Sequence, residues 1–565
     1  MTRRFPHLTA ILPFILLLAL NVGMNYSIAP LAWPDEALFS SPAIALAEHG
    51  RFRTAVLDGL IPGMDRATLW NSPLFMILLS GVYALTGESQ FVARSLSFGL
   101  ACLALYIFRR IIALLDTARH VRVLALLAIC FDLTFLRAAN TARMDMLSMC
   151  WYLGAFFFLI RAHLKQYGDG PDIIHASGME SKSESDVMQL SSPVSQSSSH
   201  TTARSASFWI WNYFWTGICV GGAAISHPIA ILLAPIVFIF IIPRWRGFLM
   251  FGIGAIIPVM GWLVYIIRYP GLFALQFGLQ LLRKKDIFSL LGGDTGGVFV
   301  VFSAQYGGKA YTMIPVLLVF LAVIAGGAYI IITRIRNIPM GRWQSLLTLR
   351  LYFAMLAVFI LLFLNSEAWY PLYAGPTLLL LAVNMYHLHA SARSPVQSRW
   401  PLHALGVLFL ATFLIFTIRE NFVYRTPDAA EDFQQKVLLN ARECRSVYLR
   451  VRPDPYFRLR NIYPDMEVLE FVPGKLQNDN QATGLLPDLI NAMVRKFEPA
   501  LYPLDYPEFL RTRYREIDCF LLDKNYGWEP VLNEYLQSNR SKFRQIQIPA
   551  RSPLENATLW RRISP

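Results

Sequence analysis

Long apolar segments separated by short polar ones make up most of the first 418 residues. A membrane-spanning helix needs about 20 predominantly apolar residues, and we place eleven spans near 8–28, 91–115, 122–139, 145–162, 208–225, 229–243, 248–267, 311–332, 349–365, 370–388 and 402–418. A further apolar segment over 72–86 is too short for a normal crossing, so we interpret it as a helix lying along the membrane surface. The pattern predicts an α-helical polytopic membrane protein with about eleven transmembrane helices.

The pattern changes after residue 418, where shorter helix-like and strand-like segments alternate. Helices are predicted over 427–440, 485–497 and 529–536, and strands over 446–451, 466–472 and 517–522. At about 145 residues this part can bury a core of its own. We therefore divide the chain into a transmembrane domain, 1–418, and a soluble α/β domain, 419–565. The Ser-rich segment 166–207 is predicted to be a disordered loop on the inner side.

Composition and charge agree with a multi-pass membrane protein. Only 16% of the residues are charged and the mean hydropathy is +0.42, which excludes an ordinary soluble protein. The transmembrane domain carries 29 Lys and Arg against 17 Asp and Glu, whereas the part from residue 419 carries 22 against 20. The basic excess predicts a cytoplasmic N-terminus in the inner membrane, an external (periplasmic) C-terminal domain and an external loop over 29–90. No basic face on a soluble module indicates nucleic-acid binding.

Polar residues that could carry chemistry gather on one predicted face of the membrane. Asp35 and Glu36 follow the first span, Arg143 and Asp145 lie between the third and fourth, and His227 lies between the fifth and sixth. Charged groups at membrane depth are costly, so each of them is a candidate for function. The predicted topology brings all five to the outer side.

This set of residues suits a group transfer. A carboxylate beside bound substrate can take the proton of an acceptor hydroxyl while that oxygen attacks, and cations opposite it can stabilise the charge on a departing phosphate. Arg143, His227 and the external basic cluster of Arg283, Lys284 and Lys285 could supply those cations. Carboxylates also bind divalent metals, so a metal is compatible with the first loop, although no ligand spacing indicates one. We assign no certain cofactor.

Each candidate also has a purely structural interpretation. Asp35 and Glu36 could cap the helix that follows Pro34, Arg143 and Asp145 could form an ion pair inside the bundle, and His227 could be a packing residue. The basic cluster at 283–285 could be a solvated loop face. Asp132, in the middle of a span, is expected to pair within the bundle.

Six cysteines are scattered without any closely spaced pair. Cys444 and Cys519 lie in the C-terminal domain and could form a disulfide if that domain is exported. Spacing alone leaves this open. The other four fall in apolar spans, where a cysteine usually acts as a small buried hydrophobic residue: Cys102, Cys130, Cys150 and Cys219.

Several motifs resemble those of a known superfamily. They are Asp35-Glu36-Ala37 with Ala43, Leu46 and Gly50, the segment 72–75 with 85–97, Ala142-Arg143-Met144-Asp145, and Trp369-Tyr370-Pro371 with Pro376. Together they resemble the protein O-mannosyltransferase-like (GT-C) membrane glycosyltransferases, which include the aminoarabinose transferase of lipid A. The resemblance covers about 8–390 and is most specific in the first 160 residues.

The resemblance implies an integral membrane glycosyltransferase. Such an enzyme moves one sugar from a polyprenyl-phosphate carrier to a glycan, lipid or protein acceptor on the outer face. It implies that Asp35 is the base, that Glu36 supports it, and that Arg143 and Asp145 bind substrate. Trp369 and Tyr370 are further candidates for the substrate site.

Two positions depart from the pattern of the superfamily. Asn71 stands where a His or Lys often precedes proline, and His227 stands where a Lys is usual. Because of both changes, Arg283, Lys284 and Lys285 become stronger candidates for contacts with the donor phosphate. A transporter or flippase of a lipid-linked sugar is the alternative function, and a noncatalytic assembly partner is a third. The polar residues gather on one face and no inverted repeat is evident, which favours the transferase.

Overall fold

A computed structural model gives the fold over most of the chain. It describes residues 8–23, 31–115, 117–167, 199–228, 233–242, 245–283, 343–363, 370–392, 427–471, 485–524, 529–552 and 554–563, with five isolated positions between 321 and 332. The predicted span over 402–418 and most of the span over 311–332 lie outside these ranges, as does most of the Ser-rich loop.

Helices account for nearly all of the described part before residue 393. They are α1 Leu8–Gly23, α2 Pro34–His49, α3 Leu74–Thr86, α4 Gln90–Leu114, α5 Arg119–Cys130, α6 Leu133–Ala139, α7 Asp145–Tyr167, α8 Ser199–Ala224, α9 Leu233–Ile241, α10 Trp245–Arg268, α11 Pro270–Arg283, α12 Trp343–Phe363 and α13 Ala374–Ala392. Among the described residues, three helices are long and apolar enough to cross a membrane: α4, α7 and α10. The short apolar segment after Ser72 is helical, as predicted, and forms α3.

The predicted span over 122–139 is divided in two. Asp132 lies between α5 and α6 and caps α6, because its Oδ1 accepts hydrogen bonds from the Thr134 backbone N–H at 2.8 Å and the Thr134 hydroxyl at 2.6 Å. These bonds satisfy a buried carboxyl group at a helix start, where backbone N–H groups have no partner within the helix. The expectation that Asp132 pairs within the bundle is thus corrected to capping.

Helices α8 and α10 pack closely because glycines face each other. A Cβ atom at Gly217 of α8 would come within 2.1 Å of the Phe251 carbonyl oxygen, and one at Gly254 of α10 would lie equally close to that of Phe214. Small residues of this kind let helix backbones approach in membranes. The other side of α10 exposes apolar side chains such as Leu249 and Val264, as expected for a surface that faces lipid.

The C-terminal part contains a five-stranded mixed sheet in the order β2-β1-β3-β5-β4. Its strands are β1 Ser446–Arg450, β2 Glu467–Glu470, β3 Cys519–Leu522, β4 Phe543–Ile548 and β5 Ala557–Arg562, and its helices are α14 Pro427–Ala441, α15 Tyr456–Ile462, α16 Leu485–Phe497, α17 Tyr506–Glu516 and α18 Pro530–Ser538. Strands β2, β1 and β3 are parallel to one another, and β3 is buried along its whole length. The three predicted strands correspond to β1, β2 and β3; α15, α17, β4 and β5 were not predicted.

A disulfide joins Cys444, just before β1, to Cys519 at the start of β3. The Cα atoms lie 6.0 Å apart, a normal span for this bond. The pairing that spacing left open is therefore made in the structure.

The C-terminal part contacts the loop that surrounds α2 and α3. The Asp454 N–H donates to the Ala32 carbonyl at 3.0 Å, and the Tyr506 hydroxyl donates to the Leu60 carbonyl at 2.8 Å. Arg460 forms salt bridges with Glu48 at 2.9 Å and with Glu88 at 2.8 Å. These contacts bring the C-terminal sheet next to the segment that leads into α2.

Helix α11 follows the predicted span 248–267, in a segment for which the sequence analysis predicts no helix. Pro270 occupies its first position, which favours a helix start because that residue needs no N–H donor. The Cβ of a side chain at Gly278 would lie within 2.6 Å of Ile490 in α16, so the two helices pack closely. The C-terminal part therefore rests on α11 as well as on the first loop.

Candidate active site

The start of α2 places two neighbouring acids at one point of the structure. Trp33 precedes the helix in an extended conformation, and its N–H donates to Glu36 Oε1 at 3.3 Å. Pro34 fixes the first helical turn. Asp35 and Glu36 therefore lie at the positive end of the helix dipole, which stabilises negative charge.

Glu36 is buried, and both of its carboxylate oxygens are occupied. Arg94, completely buried in α4, donates to Oε2 at 2.9 Å and to Oε1 at 2.7 Å. The Ala142 N–H also donates to Oε2, at 3.2 Å. Glu36 thus joins α2 to α4 and to the turn before α7, and it also makes the capping contact with Trp33.

Asp35 belongs to a second, connected set of polar side chains. Arg143 forms a salt bridge with Asp35 and donates from Nε to Asp145 Oδ2 at 3.0 Å. His227 Nε2 lies 3.8 Å from Asp145 Oδ1. Arg143, Asp145 and His227 are buried. The structure therefore brings together four residues that the sequence analysis took from three separate parts of the chain.

The two departures from the superfamily pattern lie on adjoining segments. The Ser72 hydroxyl donates to the Ala224 carbonyl at 2.8 Å, and the Leu74 N–H donates to the Ile225 carbonyl at 2.9 Å. Asn71 is buried and accepts a hydrogen bond from the Ser72 N–H at 2.8 Å. The segment that carries Asn71 is thus bound to the turn that carries His227.

The remaining predicted residues fall at the edges of the described chain. Helix α11 ends at Arg283 and a short 3-10 turn begins at Tyr370. Lys284, Lys285 and Trp369 lie outside the described residues. Their place in a substrate site stays a prediction.

Gln276 in α11 positions the first external loop and was not predicted. Its Oε1 accepts from the Leu69 N–H at 2.8 Å, and its Nε2 donates to the carbonyls of Ala67 at 3.1 Å and Pro62 at 3.3 Å. The signal in the sequence is weak, because Gln276 is one of two amides in a mostly apolar helix, the other being Gln280. A buried amide that makes three such bonds fixes the path of the loop before Asn71.

A cation and two acids of the C-terminal sheet adjoin the same region. The guanidinium of Arg452 lies over the Trp33 ring, 3.0 Å from its centroid. Burial raises the pKa of Asp454 to about 7, and burial together with Asp454 raises the pKa of Glu470 well above its ordinary value. These two buried carboxyl groups influence each other, and Asp454 Oδ2 and both Glu470 oxygens have no hydrogen-bond partner in the described part of the chain.

The described carboxylates of the site are paired with arginines. Asp35 and Asp145 are paired with Arg143, and Glu36 is paired with Arg94. Within the described ranges, no group of three or more His, Cys, Asp or Glu side chains is placed so that it could hold a metal ion.

Comparison with known proteins gives structural relatives only. No family model matches the chain, and no curated protein matches its sequence. The crystal structure of ArnT from Cupriavidus metallidurans bound to undecaprenyl phosphate is similar to it, with a TM-score of 0.55 and 12% identity over 99% of this chain and 98% of that one. The apo structure of the same protein gives a TM-score of 0.53 and 11% identity over 97% of both chains. ArnT is a GT-C glycosyltransferase. The predicted resemblance is confirmed at the level of architecture: the chain has the GT-C fold.

Proposed function

We propose that the protein is an integral membrane glycosyltransferase with Asp35 as its general base. It transfers a single sugar from a polyprenyl-phosphate-linked donor to an acceptor hydroxyl on the outer face of the membrane. The assignment of Asp35 as the base rests on the accessibility of its side chain to substrate. The Asp35 side chain is 28% exposed, whereas those of Glu36 and Asp145 are 2% and 1% exposed, so substrate can reach Asp35.

The proposed reaction is a displacement at the anomeric carbon of the sugar. The acceptor hydroxyl gives its proton to Asp35 as its oxygen forms a bond to that carbon. The bond between the carbon and the phosphate oxygen breaks, and its electron pair leaves with polyprenyl phosphate. Positive groups close to that phosphate lower the barrier because they stabilise the developing charge.

The paired residues around Asp35 have supporting roles in this proposal. Arg143 orients the Asp35 carboxylate and is itself held by Asp145. Glu36 and Arg94 hold the start of α2 in place, so we assign Glu36 as a positioning residue. Precise positioning matters because small displacements of a base or substrate slow such reactions strongly.

Two further observations support a lipid-linked donor and an external site. A protein of the same fold has been crystallised with undecaprenyl phosphate. The disulfide between Cys444 and Cys519 suits a compartment outside the cytosol, because structural disulfides persist in oxidising environments. The disulfide agrees with a C-terminal domain on the periplasmic side.

The test is transfer by the purified protein in liposomes from a radiolabelled polyprenyl-phospho-sugar. The parent should release polyprenyl phosphate, and Asp35→Asn should slow release by about 10²- to 10⁴-fold, the usual contribution of a general base. Asp65→Asn is the matched control, because Asp65 is an exposed acid of the same loop.

Equal rates for a folded Asp35→Asn and the parent would exclude Asp35 as the base. Movement of the lipid across the bilayer without release of polyprenyl phosphate would instead indicate a flippase. If the protein shows neither sugar transfer nor lipid movement with any donor, that result would favour an assembly partner.

A further inference from the structure

The parallel strands of the C-terminal sheet end beside Asp35. Leu449 of β1 pairs with Glu470 of β2, and Arg450 of β1 pairs with Leu522 of β3, so the three strands end at one edge. Four residues beyond the end of β1, the Asp454 N–H is bonded to the Ala32 carbonyl, three residues before Asp35. Ligands of open α/β sheets bind at the carboxyl ends of parallel strands, and here that edge faces the candidate active site.

Two arginines at this edge have different surroundings. Arg450 forms a salt bridge with the fully buried Glu529, so its charge is balanced within the domain. Arg452 is exposed to solvent and forms no salt bridge with a carboxylate in the described part of the chain. Its planar group instead lies on the Trp33 ring, an arrangement that fixes the direction of a guanidinium without using its N–H donors.

Two acids lie close enough to Arg452 to act on its charge. Partial enclosure by protein lowers the pKa of Arg452 to about 10, against the opposing influence of Asp523 and Asp35. The charge of Asp35 acts on it, although the two residues are more than 400 positions apart in the sequence.

We propose that Arg452 binds a substrate phosphate at the active site and is supplied by the C-terminal domain. This proposal rests on the proposed glycosyltransferase function, and it assigns a substrate phosphate as the ligand of Arg452. A guanidinium with free N–H donors matches the oxygens of a phosphate. Arg452 compensates for the cations that the superfamily pattern expects at Asn71 and His227.

The phosphate has two chemically equivalent sources. One is the phosphate of the polyprenyl carrier, and the other is a phosphate that reaches the site from water. Binding of two probes to the full-length protein in nanodiscs distinguishes them, with undecaprenyl phosphate as the lipid probe and inorganic phosphate as the soluble one. Both measurements are independent of catalysis.

Arg452→Gln should weaken binding of undecaprenyl phosphate about tenfold, as expected for the loss of one charge-assisted bond. Arg452→Lys should recover part of that loss because it keeps the charge. Arg495→Gln is the matched control, since Arg495 is an exposed arginine of the same domain that also lies near an aromatic ring, at 6.0 Å from the Tyr502 centroid. A change confined to inorganic phosphate would support the same residue with a phosphate from water.

Unchanged binding of both probes by a folded Arg452→Gln would overturn the proposal and leave the proposed function intact. Failure of the parent protein to bind undecaprenyl phosphate would count against the lipid-linked donor itself. Trp33→Leu adds a second approach, because it removes the ring under Arg452 and keeps the charge. It should weaken binding in the same direction but less than Arg452→Gln.

Discussion

On the bundle side of the α2 N-terminus every acid of the site faces an arginine, whereas on the sheet side Asp454 and Glu470 face each other. Glu36 is paired with Arg94, and Asp35 and Asp145 share Arg143. In the described part of the chain the sheet-side pair is buried and forms no salt bridge, and burial raises the pKa of both carboxyl groups, which favours their protonated forms. Burial of a charge is costly unless it is paired or neutralised, and the molecule uses both solutions within a few residues.

The two regions therefore neutralise their acids in different ways. On the bundle side each carboxylate is paired with an arginine, a cation that keeps its charge throughout the physiological pH range. The sheet-side pair depends on the proton concentration. Chemistry therefore fits the bundle side, and the sheet-side pair fits a structural contact between the C-terminal sheet and the first loop.

Removal of one partner of the bundle-side pair should have the largest effect on stability. Glu36→Gln leaves Arg94 buried without its counter-charge, and breaking a buried pair in this way typically costs about 3–5 kcal/mol. The double variant Glu36→Gln with Arg94→Met should recover most of the loss, since no charge is then buried. Thermal unfolding in detergent measures all three proteins. If the single and double variants are equally destabilised, the pairing does not account for the effect.

The arrangement around α2 could be predicted in part from the sequence. The convergence of Asp35, Arg143, Asp145 and His227 followed from topology, because residues at the same end of successive spans lie on one side of the membrane. Arg94 had a readable signal, a charge inside an apolar helix. The family resemblance indicated the fold that the structural comparison confirms.

The contributions of the C-terminal sheet could not be predicted. Arg452, Asp454 and Glu470 act through contacts with residues more than 400 positions earlier, and no local pattern encodes such a contact. Helix α11 was missed for a different reason: its apolar positions follow the preceding span without a long polar break. Gln276 within it binds a loop some 200 residues away, which periodicity does not reveal.

Loss of the disulfide should have the next largest effect, confined to the sheet side. The bond between Cys444 and Cys519 closes a loop with a sequence separation of 75, and removal of a native disulfide usually costs roughly 2–5 kcal/mol. The double variant Cys444→Ser with Cys519→Ser should therefore lower the urea midpoint for unfolding of the C-terminal sheet. Limited proteolysis of the full-length protein measures this midpoint. Cys219→Ser is the control, because Cys219 is a buried free thiol of the membrane part. An equal loss of protection in the membrane helices would show that the two regions unfold together.

The smallest expected effect is the pH dependence of the free energy of unfolding on the sheet side, and it is specific to that region. Burial raises the pKa of Asp454 to about 7 and that of Glu470 in the same direction, whereas unfolded Asp and Glu titrate near 4. Between these values the folded state holds more protons than the unfolded state. The free energy of unfolding should therefore fall as pH rises from about 4 to above 7, with a slope on the order of 1 kcal/mol per pH unit for one proton.

The variant Glu470→Gln separates the contribution of this pair from that of Glu529, a buried acid that precedes α18. Burial also raises the pKa of Glu529 to about 7, although Arg450 and Tyr448 contact it. Glu470→Gln removes one of the two titrating carboxyl groups and its influence on Asp454, so the slope should fall by the part that is due to Glu470. The part due to Glu529 should remain. Urea unfolding of the full-length protein at pH 5, 6, 7 and 8 measures both slopes, and identical slopes for the variant and the parent would show that Glu470 does not contribute to the pH dependence.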